Sequence, residues 1–134
     1  DCLPILIYTE NNWIAAIHGG WRGLSSGIIE NTVEKIPPGS GFYAWMGPCI
    51  SQKNYEVGEE LLEHFSNYKS AFQKIDTNKY KMSLMDIARA KLIACGALDI
   101  LSTSFCTYDM SDSYYSYRYN KTSGRNLTGI MIHS

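Results

Sequence analysis

The chain has 134 residues and a mass of 15.1 kDa, the size of one domain. Hydrophobic residues make up 45% and charged residues 19%, enough apolar material for a core and too little charge for a disordered chain. Twelve Lys and Arg against 13 Asp and Glu give a net charge of -1, which excludes the basic surplus that nucleic-acid binding needs. No apolar run approaches the roughly 20 residues of a membrane span, so the chain reads as soluble and cytoplasmic, with neither membrane nor nucleic acid as partner.

The sequence predicts alternating strands and helices, a mixed α/β class. Leu3 to Tyr8 and Trp13 to Ile17 are apolar runs separated by Thr9-Glu10-Asn11-Asn12, which suits an antiparallel hairpin. The first strand begins almost at once, and a first core strand usually has chain before it, so residues 1–134 are expected to be one domain lacking its N-terminal part. Leu24, Ile28, Val33 and Ile36 predict a helix over 24–36, capped by Ser25 or Ser26 and stopped by Pro37-Pro38. Phe42 to Met46 reads as a strand, and Val57, Leu61, Leu62 and Phe65 as a second helix. Residues 67–81 show no period. Ser83 with Asp86 resembles a capping box, followed by a helix through Leu84, Ile87, Lys91, Leu92 and Cys95 and a stop at Gly96. Ile100-Leu101, Tyr114 to Tyr119 and Leu127 to Ile132 are expected as closing strands, the last two joined by a polar loop containing Ser123-Gly124.

Cysteines stand at 2, 49, 95 and 106 with no CxxC pair, so free thiols are expected rather than a zinc knuckle or a disulfide frame. Cys49, Cys95 and Cys106 read as packing thiols. Chemistry concentrates in His18-Gly19-Gly20-Trp21-Arg22-Gly23, where a His ends an apolar strand and an Arg stands beside a helix start, a pattern suited to an anion or a metal. In the hairpin the start of one strand faces the end of the other, which makes Cys2 and His18 neighbours able to share a metal or to act as thiolate and base. A zinc site wants at least three protein ligands, and His64 and His133 read as surface histidines rather than the third.

A set of short motifs, in this order and spacing, closely resembles the YfiH/FAMIN family of laccase-like polyphenol oxidoreductases, later associated with purine nucleoside metabolism. The matching pieces are Asp1-Cys2-Leu3-Pro4, His18-Gly19-Gly20-Trp21-Arg22-Gly23, Gly47-Pro48-Cys49-Ile50-Ser51, Tyr55-Glu56-Val57-Gly58, Cys106-Thr107, Tyr115-Ser116-Tyr117-Arg118 and Ser123-Gly124-Arg125. The resemblance implies a layered, mixed-sheet α/β fold of the kind shared with cysteine-histidine (CNF-like) toxins. It further implies a zinc site of one Cys and two His, with Cys2 and His18 as two of the ligands and the remaining His upstream of this chain. Three departures stand out: Gly19 where Ala is usual, Tyr119 where a second Arg commonly follows Ser-Tyr-Arg, and no family motif in 63–82.

These implications make a zinc-dependent purine nucleoside phosphorylase with adenosine deaminase activity the leading expectation, its substrates a purine nucleoside and phosphate. Cys2, His18 and Arg22 are the expected catalytic residues, and Arg22, Arg118 and Arg125 the expected cationic donors for substrate. Copper-dependent oxidation of phenols is the alternative, although multicopper chemistry wants more than the three histidines present. The third expectation is an inactive fragment or interaction module that needs a partner or an N-terminal segment to complete its site.

Overall fold

The computed structural model describes residues 1–121 and 124–133. Strands β1 (Leu3–Thr9) and β2 (Ile14–Gly19) form the expected antiparallel hairpin, with Leu3 opposite Gly19 and Pro4 opposite His18. Strand β3 (Phe42–Met46) pairs antiparallel with the other edge of β1, and β7 (Asp99–Ser102) lies parallel to β3. The result is a mixed four-stranded sheet of order β2-β1-β3-β7. Alternation along β1 sends Leu3, Ile5 and Ile7 to one face, where each is fully buried, and Pro4, Leu6 and Tyr8 to the other. The helices of residues 21–33 and 84–94 pack on the first face.

The helix expected over 24–36 is instead two short ones, α1 (Trp21–Ser25) and α2 (Ile28–Val33). Gly27 between them takes φ 81, a left-handed conformation that interrupts the α-helical path and that glycine adopts without steric cost. The start also moves forward: Gly20 is the N-cap and Leu24 N–H donates to Gly20 O at 2.9 Å, so neither Ser25 nor Ser26 is the N-cap, and Ser26 instead closes α1 as its C-cap. Leu24 and Ile29 enter the core beneath the sheet with Ile87 and Leu92 of α4 (Leu84–Ala94). Helix α4 matches its sequence signals: Ser83 Oγ accepts from Asp86 N–H at 3.1 Å, and Gly96 follows at φ 88. Buried Lys91 on α4 pairs with Oε1 of Glu30 on α2 at 2.6 Å, an ion pair that ties the two helices.

The second expected helix shrinks to α3 (Glu60–His64), because Val57 belongs to a strand, β4 (Glu56–Gly58), paired with β6 (Lys79–Met82). The stretch without period supplies the 3-10 segment Ser66–Ala71 and β5 (Phe72–Asp76), completing a three-stranded antiparallel sheet of order β4-β6-β5. Beyond β7 the expected strands over 114–119 and 127–132 do not form. Ser116 caps a four-residue helix, α5 (Tyr117–Asn120), by accepting from Tyr119 N–H at 3.2 Å, and residues 124–133 have no regular structure. The side chain of Asn126 takes the place of a second strand: it accepts from Tyr115 N–H and donates to Tyr115 O, both at 2.9 Å. Ser123 of the expected loop lies outside the described residues.

Candidate active site

The site forms on the open face of the main sheet, where β1 begins and β2 ends. Cys2 precedes β1 in phase with Pro4, and Pro4 is opposite His18, so the thiol and the imidazole emerge side by side from adjacent strands. Gly20 makes room between them. A Cβ at that position would lie 3.1 Å from Cys2 Sγ and 3.4 Å from His18 Nε2, so both heteroatoms face one small space over a residue without a side chain. Cys2 and His18 are both exposed to the cleft beside them. That cleft has a volume of about 600 Å³, with Cys2, Pro4, Ala16 and His18 on one wall and Tyr114, Tyr115, Tyr117 and Arg125 on the other.

The expected cationic residues divide between two places. Arg125 stands on the cleft wall, its guanidinium donating to Gly124 O at 2.8 Å. Arg22 is not ahead of a helix but inside the first turn of α1, with its guanidinium 4.5 Å over the Trp21 ring. The early start follows from the extended Gly20, which lets the helix begin directly after the glycine pair. Arg118 donates from its guanidinium to Glu56 O at 2.8 Å and lies 5.1 Å over the Tyr55 ring. Burial pushes the Tyr55 hydroxyl above its ordinary value, Cys2 adds to that, and Arg118 and Arg22 pull it back. Tyr55 is thus where the fields of the thiol and of both arginines overlap, and no spacing in the sequence marks it for that position.

Among the described residues no group of three or more His, Cys, Asp or Glu is arranged to hold a metal ion. His64 sits against Trp21 with ring centroids 5.5 Å apart, and His133 lies exposed in the irregular C-terminal stretch. Thiolate and imidazole are zinc donors by type, but a catalytic zinc takes three protein ligands, and Cys2 and His18 are two.

Two residues carry more of the architecture than their sequence positions suggest. The Asp1 carboxylate accepts from Thr107 Oγ1 at 2.8 Å, Ser116 Oγ at 2.7 Å and Arg118 N–H at 2.8 Å, fastening the C-terminal segment to the end of β1. Cys106 pairs by an isolated parallel bridge with Cys49, and its Sγ accepts from Ser51 N–H at 3.2 Å and Asn54 Nδ2 at 3.5 Å. The two neighbouring thiols are tuned in opposite directions. Burial pushes Cys49 up to about 12. Burial also raises Cys106, but hydrogen bonds from Ser51, Asn54 and the backbone at Asp109 outweigh it and hold that thiol below its ordinary value.

Residues 1–133 match the family model described as multi-copper polyphenol oxidoreductase laccase. The purine nucleoside phosphorylase YfiH of Escherichia coli is 36% identical over 138 residues, covering 98% of this chain and 56% of the relative. A purine nucleoside phosphorylase of Haemophilus influenzae is 37% identical over 139 residues, covering 97% and 57%. The crystal structure of a Neisseria meningitidis protein, NMB0706, superposes with a TM-score of 0.83 at 34% identity, over 90% of this chain and 52% of that one. That of the Bacillus licheniformis hypothetical protein YfiH gives 0.84 at 25%, over 90% and 50%. The chain spans about half the length of the relatives it matches and shares their fold. By sequence and by structure it belongs to the multi-copper polyphenol oxidoreductase laccase family.

Proposed function

We propose that this chain carries the cysteine-histidine half of a purine nucleoside phosphorylase site that also deaminates adenosine. The observation that supports this most is the convergence of Cys2 Sγ and His18 Nε2 on the space over Gly20, beside a cleft large enough for a nucleoside and walled by tyrosines and Arg125. The names of the relatives point the same way. In phosphorolysis a phosphate oxygen forms a bond to the sugar C1′ as the glycosidic C–N bond breaks, giving ribose 1-phosphate and the free base. Arg125 would bind the phosphate dianion from the cleft wall, Arg118 and Arg22 would add positive charge around Tyr55, and the tyrosines on the cleft wall offer faces for the purine.

Cys2 and His18 would be two ligands of a zinc whose third comes from outside the chain. When bound, that metal supplies a polarised water for deamination of the purine amino group. No helix among the described residues is long and apolar enough to cross a membrane, and the four free cysteines suit the reducing cytoplasm, where we place the protein.

The test uses the complete protein with adenosine and inosine. Base release should require phosphate, ammonia should form from adenosine, and about one zinc per chain should copurify. Replacing His18 or Cys2 by Ala should lower turnover by about a hundredfold, the scale of losing a principal stabilising group. Arg22→Lys should leave the melting temperature nearly unchanged and raise the phosphate requirement, since a lysine lacks the bidentate fork. Base release without phosphate would make it a hydrolase, and rapid copper-dependent oxidation of a phenol without nucleoside turnover would make it an oxidase.

A further inference from the structure

Asp1 uses both carboxylate oxygens, and each of its three donors belongs to the C-terminal segment. Thr107 is 1% exposed and Ser116 2%, so their hydroxyls have no solvent to turn to if the carboxylate goes. The Ser116 contact also works in relay. Because Ser116 Oγ donates to Asp1, its lone pair is directed to Tyr119 N–H, the bond that starts α5. Two residues after Ser116, Arg118 is held at both ends: its N–H by Asp1, its guanidinium by Glu56 O above Tyr55. On the other side Asp1 is covalently next to Cys2. The carboxylate therefore ties the Arg118 backbone to the residue beside Cys2, while Glu56 O and the Tyr55 ring hold its guanidinium.

We propose that Asp1 is a positioning residue: through Ser116 and the Arg118 backbone it holds the Arg118 guanidinium in register with Cys2 and His18, and so sets affinity for the anionic co-substrate without touching it. The inference rests on the phosphorolysis reading for its ligand, inorganic phosphate, but not for its geometry. Asp1→Asn keeps the size and one acceptor oxygen while turning an NH2 toward at least one former donor, so Arg118 loses its fixed origin.

The test is calorimetric titration of inorganic phosphate into the complete protein, with phosphate KM and kcat measured in parallel. Asp1→Asn should weaken phosphate binding roughly tenfold, the scale of one charge-assisted hydrogen bond. Nucleoside KM should stay within about twofold, and amide exchange should quicken at Arg118 and Tyr119. The deciding measurement is the double variant: Asp1→Asn with Arg118→Ala should bind phosphate no more weakly than Arg118→Ala alone, because Asp1 acts through Arg118. Should Asp1→Asn not fold, two milder changes read the same thing. Ser116→Ala, which loosens the start of α5, should lower phosphate affinity, while Thr107→Val, which spares the Arg118 bond, should not. Multiplicative losses in the double variant, or equal effects of Ser116→Ala and Thr107→Val, would overturn the proposal and leave Asp1 a plain staple. Wild-type protein that binds phosphate but does not split nucleosides would sink the phosphorolysis reading while leaving this test intact.

Discussion

The body of the molecule through β7 and the segment after it are held together in different ways. In the body, backbone ladders and buried Leu, Ile and Met do the work, and Leu3, Ile5, Ile7, Met46, Ile87 and Leu92 have no exposed surface. After Ser102 the described chain contains one four-residue helix, and it is fastened by oxygen and amide groups of side chains: Asp1 to Thr107 and Ser116, Asn126 to Tyr115, Asn54 to Asp109. Its apolar side chains are largely in solvent, with Leu127 98% and Met131 81% exposed. Apolar burial resists distortion from every direction, whereas a few directional bonds hold one geometry and release it together when one fails. The candidate site draws one wall from each region, so its rigid half comes from the body and its adjustable half from the segment.

The sharpest break of that contrast is a cavity in the body. Ile5→Ala should cost about 2–5 kcal/mol in urea denaturation, whereas Leu127→Ala should fall within about 0.5 kcal/mol of wild type. Next comes Gly19→Ala. A Cβ there would sit 2.8 Å from the Leu3 carbonyl oxygen, so β1 and β2 approach more closely than an alanine would allow. That change should destabilise by about 1–3 kcal/mol, and less than this would mean the hairpin relaxes readily.

The Cys49–Cys106 bridge, where body and segment meet, gives the next effect. Between pH 9 and about 12 folded Cys49 keeps a proton that the unfolded chain has lost, so its contribution is complete below pH 9 and falls as pH rises, by about 1.4 kcal/mol per pH unit at most. Cys106 has the opposite sign: its lowered value adds stability above the ordinary thiol range, lost as pH falls through the folded value. Melting Cys49→Ala and Cys106→Ala against wild type from pH 7 to 11 should therefore give differences that trend in opposite directions. Parallel trends would show that the two thiols share one environment. The smallest effect belongs to Asn126→Ala, which should open residues 124–133 to protease while moving overall stability by about 0.5 kcal/mol or less.

The same division governs what could be read from the amino acids alone. The hairpin, β3 and α4 were legible because hydrophobic period, turn residues and a serine cap are local, and the hairpin also delivered the Cys2–His18 neighbourhood. The break at Gly27 was not, since Leu24, Ile28 and Val33 keep a helical period across a residue whose dihedral angles interrupt it. Tyr114 to Tyr119 and Leu127 to Ile132 have the composition of strands, yet Asn126 satisfies Tyr115 with its side chain and Ser116 starts a helix. The hydrogen bonds of Asp1 and the surroundings of Tyr55 were illegible for a further reason: their partners are set by tertiary placement, and no period links Asp1 to Ser116 or Tyr55 to Arg22.

The carboxylate at the head of β1 also orders events in time. Its partners lie 106, 115 and 117 positions further along the chain, so on a ribosome the cysteine-histidine face emerges early and stays without its opposite wall until residues 107–118 have been made and folded back. Closing so long a loop is entropically costly and comes late, after the local hairpin. A nascent chain therefore displays a solvent-facing thiol and imidazole well before it has a cleft beside them, and that cleft arrives in one late step rather than growing with length.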